Sequence, residues 1–158
     1  MTQHIGIVAC SAEGAALCYR TICIEGTQLL GAHDHPEVSM HTHSLAQYVQ
    51  HLDLGDWQGV GDLMLSSAHR LASIGADFLV CPDNTIHAAM RFVEPHSPRP
   101  WLRPSAAERE QINRIIMDEL FYGVFKAEAV SCFSGSSAQC TAVGAMRWCW
   151  DAPRSRSS

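Results

Sequence analysis

The segment Cys81-Pro82-Asp83-Asn84-Thr85 holds the densest set of reactive and hydrogen-bonding groups in the chain. An apolar run, Phe78–Cys81, leads through a proline into the polar triplet, and a helix is predicted to follow. In open α/β sheets, ligands bind where strand ends meet such turns. The first N–H groups of a helix lack intrahelical partners and can hold a carboxylate. A group at Asp83 would stand beside that anion, placed for chemistry on a small acid.

Other residues could carry different chemistry. His33 and His35, and His41 and His43, each form a His-x-His pair. On an extended strand such a pair aims both imidazoles to one side, which suits zinc or iron in a metal-dependent hydrolase. No HExxH or other spacing supplies a third ligand, and the nine histidines of this composition make chance pairs common. His41 and His43 are therefore expected to line the same cleft as Asn84, with no metal site.

The seven cysteines are scattered, form no CxxC pair and match no zinc-finger spacing. That usage predicts a reduced, cytoplasmic protein in which most thiols act as small buried hydrophobes. A net charge of −5 leaves no basic stripe to neutralise phosphates, which argues against nucleic acid as a partner. No basic n-region with a long apolar core opens the chain, and no apolar stretch has membrane-spanning length.

The elements that must position these groups read most clearly in the first hundred residues. Ile5–Cys10 is a β-type run, and Ser11 is a plausible N-cap for a helix with an apolar stripe through Ala15, Tyr19, Ile22 and Cys23. Glu37–Thr42 predicts a second strand. Asp56 opens a helix whose apolar residues Val60, Leu63, Met64, Ala68, Leu71 and Ile74 recur at three and four, and Gly75 closes it. Phe78–Cys81 is the third strand. Strand–helix alternation of this kind predicts an open parallel sheet flanked by helices. The proline-rich stretch from Phe92 to Pro104 reads as irregular. Ser105 to Glu108 then forms a capping box before a helix ending at Gly123.

These segments together resemble the aspartate/glutamate racemase family. Ile5-Gly-Ile-Val8 with Ser11-Ala-Glu13 and Leu17-Cys-Tyr-Arg20 is similar to the family's first strand, Met-Ser-Pro-Glu loop and Leu-Tyr-Tyr-Arg helix. Gly75-Ala-Asp-Phe78 through Asn84-Thr-Ile-His87 is similar to its Gly-Ala-Asp-Phe and Pro-Cys-Asn-Thr-Ala-His. Glu108-Arg-Glu110, Asn113-Arg-Ile-Ile116 and Gly123-Val-Phe-Lys126 are similar to a helix of the second half. The resemblance implies cofactor-independent racemisation of an amino acid by two facing bases, usually cysteines, one from each pseudo-symmetric half. One base removes the α-proton and the other returns one.

Carried over residue by residue, the first base falls on Asp83. Ionised, it would repel an acidic substrate; protonated, it would be a poor base. Cys81 lies two residues earlier on the same strand face and is the other candidate. Ser11, Asn84 and Thr85 match substrate-holding positions, each with helix capping as a competing role. Lys126 stands where some members pair a lysine with a substrate carboxylate. Tyr48 stands where some aspartate-specific members place an arginine, and a tyrosine cannot form that bidentate pair.

The resemblance also implies what is missing. Residues 1–100 match the first half-domain, 104–130 a helical remnant of the second, and 131–158 match nothing. The family's Gly-Cys-Thr-Glu-Ile-Pro motif, with the second base, is absent. Suitable codons for Ala145–Ser157, read from the third base, encode Asp-Ala-Val-Val-Leu-Gly-Cys-Thr-Glu-Ile-Pro-Leu, and the fixed codons of Met146, Trp148 and Trp150 agree with that frame. An internal deletion and a frameshift from about residue 131 are expected, with an impaired racemase as the result, or alternatively a non-catalytic remnant that binds a small acid. Exposed sheet edge in such a remnant would favour a homodimer.

Overall fold

The computed structural model describes residues 3–103, together with the isolated positions 105, 107, 110 and 114. Lys126, the second-half helix and the divergent tail lie outside the described residues. The first compact unit of the chain ends at Leu102.

Three strands make a parallel sheet in the order β2-β1-β3: β1 is Ile5–Ala9, β2 Val38–Thr42 and β3 Phe78–Val80. Ile5 is in register with Val38 on one side and Phe78 on the other. All five residues of β1 are buried, as a strand sandwiched between two helical layers requires. Val8, Cys10, Leu79 and Cys81 share one face with the core of Tyr48, Val60, Met64, Ala68 and Leu71. Strand alternation sends Ile5, Ile7, Phe78 and Val80 to the other face.

Helix α1 (Ala12–Leu30) leaves β1 under an N-cap from Ser11, whose Oγ accepts from Gly14 N at 3.2 Å, and it buries Ala15, Ile22 and Gly26. Helix α3 (Trp57–Ser73) starts at Asp56, whose carboxylate accepts from Gly59 N at 2.9 Å. Its stripe packs on β1 and β2. Gly75 has φ +99°, the left-handed turn that reverses the chain into β3. A Cβ on Gly6 would lie 2.7 Å from Leu79 Cδ2 and 3.3 Å from Leu71 Cβ, so this glycine lets α3 close down on the sheet.

Three features differ from the sequence expectation. A helix, α2 (Leu45–Asp53), stands between β2 and α3; its Leu45, Tyr48, Val49 and Leu52 recur at three and four, and Tyr48 and Leu52 pack on the core. The segment after Asp83 is a 3-10 helix, Asn84–Ala89, followed by the short α4 (Met90–Val93) and a further 3-10 turn, Glu94–His96. The stretch beyond then pairs beside β3: Leu79 N donates to Pro100 O at 2.9 Å and Leu102 N to Leu79 O at 2.8 Å. That pairing covers the outer edge of β3, whereas among the described residues no strand pairs outside β2.

Candidate functional site

Because β1 lies between β2 and β3, the chain leaves it in one direction and returns on its other side. The carboxyl ends of β1 and β3 form the switch point where such sheets place ligands. Cys10 and Ser11 follow β1 there, and Cys81 to Thr85 follow β3.

Asp83 joins the two. Its carboxylate accepts from Cys10 N at 3.1 Å through Oδ2 and from Ser11 N at 3.1 Å through Oδ1. The Ser11 hydroxyl also donates to Oδ1. Ser11 Oγ thus does two jobs, accepting from Gly14 N while giving its proton to Asp83. A Cβ on Gly14 would lie 3.2 Å from Asp83 Oδ1, so the bare first turn of α1 lets the carboxylate sit against it. Negative charge at that end of a 19-residue helix is stabilised by the unpaired N–H groups and the macrodipole. The sequence reading placed an anion next to Asp83, at the following helix. In the structure Asp83 is itself the anion, at the start of α1. The turn carrying it is braced by His87 Nε2 with Cys81 O at 3.0 Å and by the Cys81 thiol directed at Asp83 O at 3.8 Å.

Around this carboxylate sit groups that would have to lose a proton to act as bases. Burial, and secondarily the Asp83 charge, push the Cys10 and Cys18 thiols up to about 11. Cys81 is pushed higher still, mainly by burial, against the modest opposing effect of a backbone hydrogen bond. Tyr48 is fully buried in α2, and burial, then Cys10 and Cys81, hold its phenol neutral. Hydrogen bonding with the Ser67 side chain opposes that rise. Cys10, Cys18 and Gly14 were not singled out from the sequence. Their importance depends on β1 and β3 being neighbours, a pairing across some 70 residues that no local pattern records.

Asn84 and Thr85, the first two residues of the 3-10 helix, are exposed at the mouth of the same corner and make no side-chain hydrogen bond among the described residues. Ser11, Cys81, Asp83, Asn84 and Thr85 are therefore brought to one place, with Tyr48 beneath them.

The histidine pairs separate. His41 and His43, at the end of β2, stack edge to face with ring centroids 4.9 Å apart, and His41 Nδ1 pairs with Ser67 Oγ at 2.9 Å. Burial, then His43 and Arg70, lower the His41 pKa. His35 Nδ1 meets Pro36 O at 2.8 Å in the loop before β2, and His33 sits at φ 67°. Among the described residues no three His, Cys, Asp or Glu side chains gather as a metal-ligand set. Among the same residues no helix is long and apolar enough to cross a membrane.

The arrangement is that of an α/β fold with a parallel open sheet, similar to structures described as Asp/Glu racemases. One, assigned provisionally as an Asp/Glu racemase from Yersinia pestis, superposes with a TM-score of 0.63 at 19% identity, covering 88% of this chain and 80% of its own. Another, an aspartate racemase homologue from Pyrococcus horikoshii OT3, gives a TM-score of 0.54 at 18% identity over 88% of this chain and 80% of its own. At such identities the likeness is one of fold. No known sequence family matches the chain. No curated protein matches it either.

Proposed function

We propose that this chain is a cofactor-independent amino-acid racemase-type protein, an isomerase by descent, whose racemase cycle is impaired. The observation that carries the reading is the contact of Ser11 with Asp83, the residue that leads into Asn84 and Thr85, at the switch point of a racemase-like fold. A small amino acid would lie at the ends of β1 and β3, its polar groups held by Asn84 and Thr85. Racemisation requires one group to take the α-proton and a second on the opposite face to supply one. At the first position stands Asp83, whose carboxylate is already engaged by three donors and must leave them to reach a substrate proton. On the frameshift hypothesis the second base would belong to the lost Gly-Cys-Thr-Glu segment, and Lys126 is assigned to the substrate carboxylate.

A second reading has one observation in its favour. Thiols pushed up to about 11 are not thiolates at neutral pH, which suits a protein that holds a small acid without turning it over. Exchange of the α-proton separates the two. The protein is incubated with a panel of amino acids in deuterated water, and loss of the α-proton signal is followed by NMR. The chain made from a gene with the Gly-Cys-Thr-Glu frame restored is treated in parallel. The racemase reading expects slow exchange on at least one amino acid and inversion by the restored chain. Absence of exchange by both chains on every amino acid rejects it. Sequencing the gene decides the frameshift, which fails if no frame encodes that motif.

A further inference from the structure

Two helices and a strand meet around one buried hydroxyl. Ser67 of α3 is completely buried, and so is Tyr48 of α2. Helix α3 packs on both α2 and β2, which sets the Ser67 side chain between groups from each. On one side, His41 Nδ1 lies 2.9 Å from Ser67 Oγ. On the other, the Ser67 side chain hydrogen-bonds with the Tyr48 phenol. A serine hydroxyl has one proton to give and two lone pairs with which to accept. Ser67 can therefore donate to His41 or to Tyr48, never to both.

Of these three groups only the imidazole changes charge near neutrality. Neutral His41 can offer Nδ1 as an acceptor, whereas the protonated ring donates from both nitrogens. The groups facing His41 are Ser67 and Arg70 from α3 and His43 just beyond its own strand, while β1 sets the uncharged Val8 in register with it. Those facing Tyr48 are Cys10 after β1, Cys81 and Asp83 after β3, and Ser67.

We propose that His41 is a positioning residue for the Tyr48 hydroxyl, acting through Ser67. With His41 neutral, Ser67 gives its proton to Nδ1 and accepts from the Tyr48 hydroxyl. With His41 protonated, Nδ1–H donates to Ser67 Oγ, and the Ser67 hydroxyl turns to Tyr48 Oη. The phenol thus changes from donor to acceptor, and the only bond formed is that of one solvent proton to the imidazole. Because Cys10, Cys81 and Asp83 are electrostatic neighbours of Tyr48, the reversed phenol dipole is felt where β1 and β3 end. This inference stands apart from the racemase reading, and a chain inactive in the exchange assay leaves it untouched.

The test follows the full chain, labelled at tyrosine Cζ and histidine Cε1, by carbon NMR from about pH 8 to about pH 5. Tyr48→Phe identifies the tyrosine signal and His41→Gln the histidine signal. In the wild type the Tyr48 Cζ signal shifts in one step, with the midpoint of the His41 titration and below the ordinary 6.5. In Ser67→Ala, His41 still titrates but the Tyr48 step is lost. In His41→Gln the Tyr48 signal is flat. A wild-type Tyr48 signal that stays still, or moves with another midpoint, overturns the proposal. So does a step of the same size without Ser67, which would be the field of the imidazolium alone. His41 is only partly buried, so its glutamine variant keeps the test open should Ser67→Ala not fold: a Tyr48 step that survives in it refutes the relay.

Discussion

The corner between β1 and β3 and the corner at the end of β2 are built at the same edge of one sheet, yet they answer burial in opposite ways. In the first, the Asp83 carboxylate is surrounded by thiols and a phenol, and burial drives those acids upward, towards their neutral forms. In the second, His41 and His43 face each other beside Ser67, and burial drives His41 downward, again towards neutrality. Desolvation disfavours charge in both places. At the first corner Asp83 accepts from three donors, Cys10 N, Ser11 N and the Ser11 hydroxyl. The start of α1 supplies those donors, whereas the histidines have Ser67 and each other. Each prediction below attacks one side of that contrast.

The largest effect is expected at Asp83. Asp83→Ala orphans Cys10 N, Ser11 N and the Ser11 hydroxyl and unlinks β3 from α1, at a cost of about 3 kcal/mol. Asp83→Asn keeps the shape and one good acceptor, so about half that loss is expected. Urea unfolding of the three proteins measures both values. A loss under about 0.5 kcal/mol for the alanine variant would mean that the carboxylate is not held as described.

That contact also shows where the sequence stopped being legible. The strands, the Ser11 and Asp56 caps and the Gly75 turn are local chemistry, and each is found where its residues predict it. Helix α2 was legible through Leu45, Tyr48, Val49 and Leu52 at helical spacing, but the stripe is short and only half of it is inward, with Tyr48 and Leu52 on the core and Leu45 and Val49 exposed. The polar turn after β3 was legible as a site, but its partner was not. Which N–H groups Asp83 meets depends on the order of the strands, and strand order is written in the whole core rather than in the motif. Lys126, matched to the substrate carboxylate by resemblance, lies outside the described residues.

Next in size is the alkaline limb of stability. Cys10 and Cys18 have native values of about 11 against an ordinary 9.0. The unfolded chain therefore releases these protons first. Their contribution is intact below about pH 9 and is lost as the pH climbs towards about 11. Allowing for solvent screening at Cys10, unfolding free energy should fall by about 1–2 kcal/mol between about pH 8 and about pH 10.5. Cys18→Ala should flatten that decline. Asp83→Asn should shallow it without abolishing it, because burial outranks the Asp83 charge as the cause. A decline of the same depth in all three proteins would remove the thiols as its source.

Gly14 offers a finer probe of the same corner. Alanine in an exposed helical turn normally gains about 1 kcal/mol over glycine. Here its Cβ would meet Ser11 Oγ at 3.0 Å and Asp83 Oδ1 at 3.2 Å, both closer than most carbon–oxygen contacts allow, and the hydrogen bond to Asp83 is what fixes the Ser11 hydroxyl there. Gly14→Ala should therefore be near neutral in the wild type and stabilising by about 1 kcal/mol in the Asp83→Ala background. The double-mutant cycle reads the coupling directly, and additivity would place the carboxylate away from the helix end.

The smallest effect belongs to the histidine corner and runs in the opposite direction along the pH axis. His41 has a native pKa below its ordinary 6.5, for burial first and then for His43 and Arg70. On acidification the unfolded chain gains this proton before the native one does. The stability that depends on neutral His41 is present above about pH 6.5 and drains away as the pH falls through the lowered native value. Partial exposure and salt screening keep the effect below that of the thiols. His41→Gln, which retains a polar group for Ser67 but cannot take the proton, should lose less stability than the wild type between about pH 7.5 and about pH 5 while leaving the alkaline limb unchanged. If the glutamine variant matched the wild type in acid, the edge-to-face pair and Ser67 would be packing features without electrostatic consequence. The two corners would then differ in charge tolerance only through Asp83.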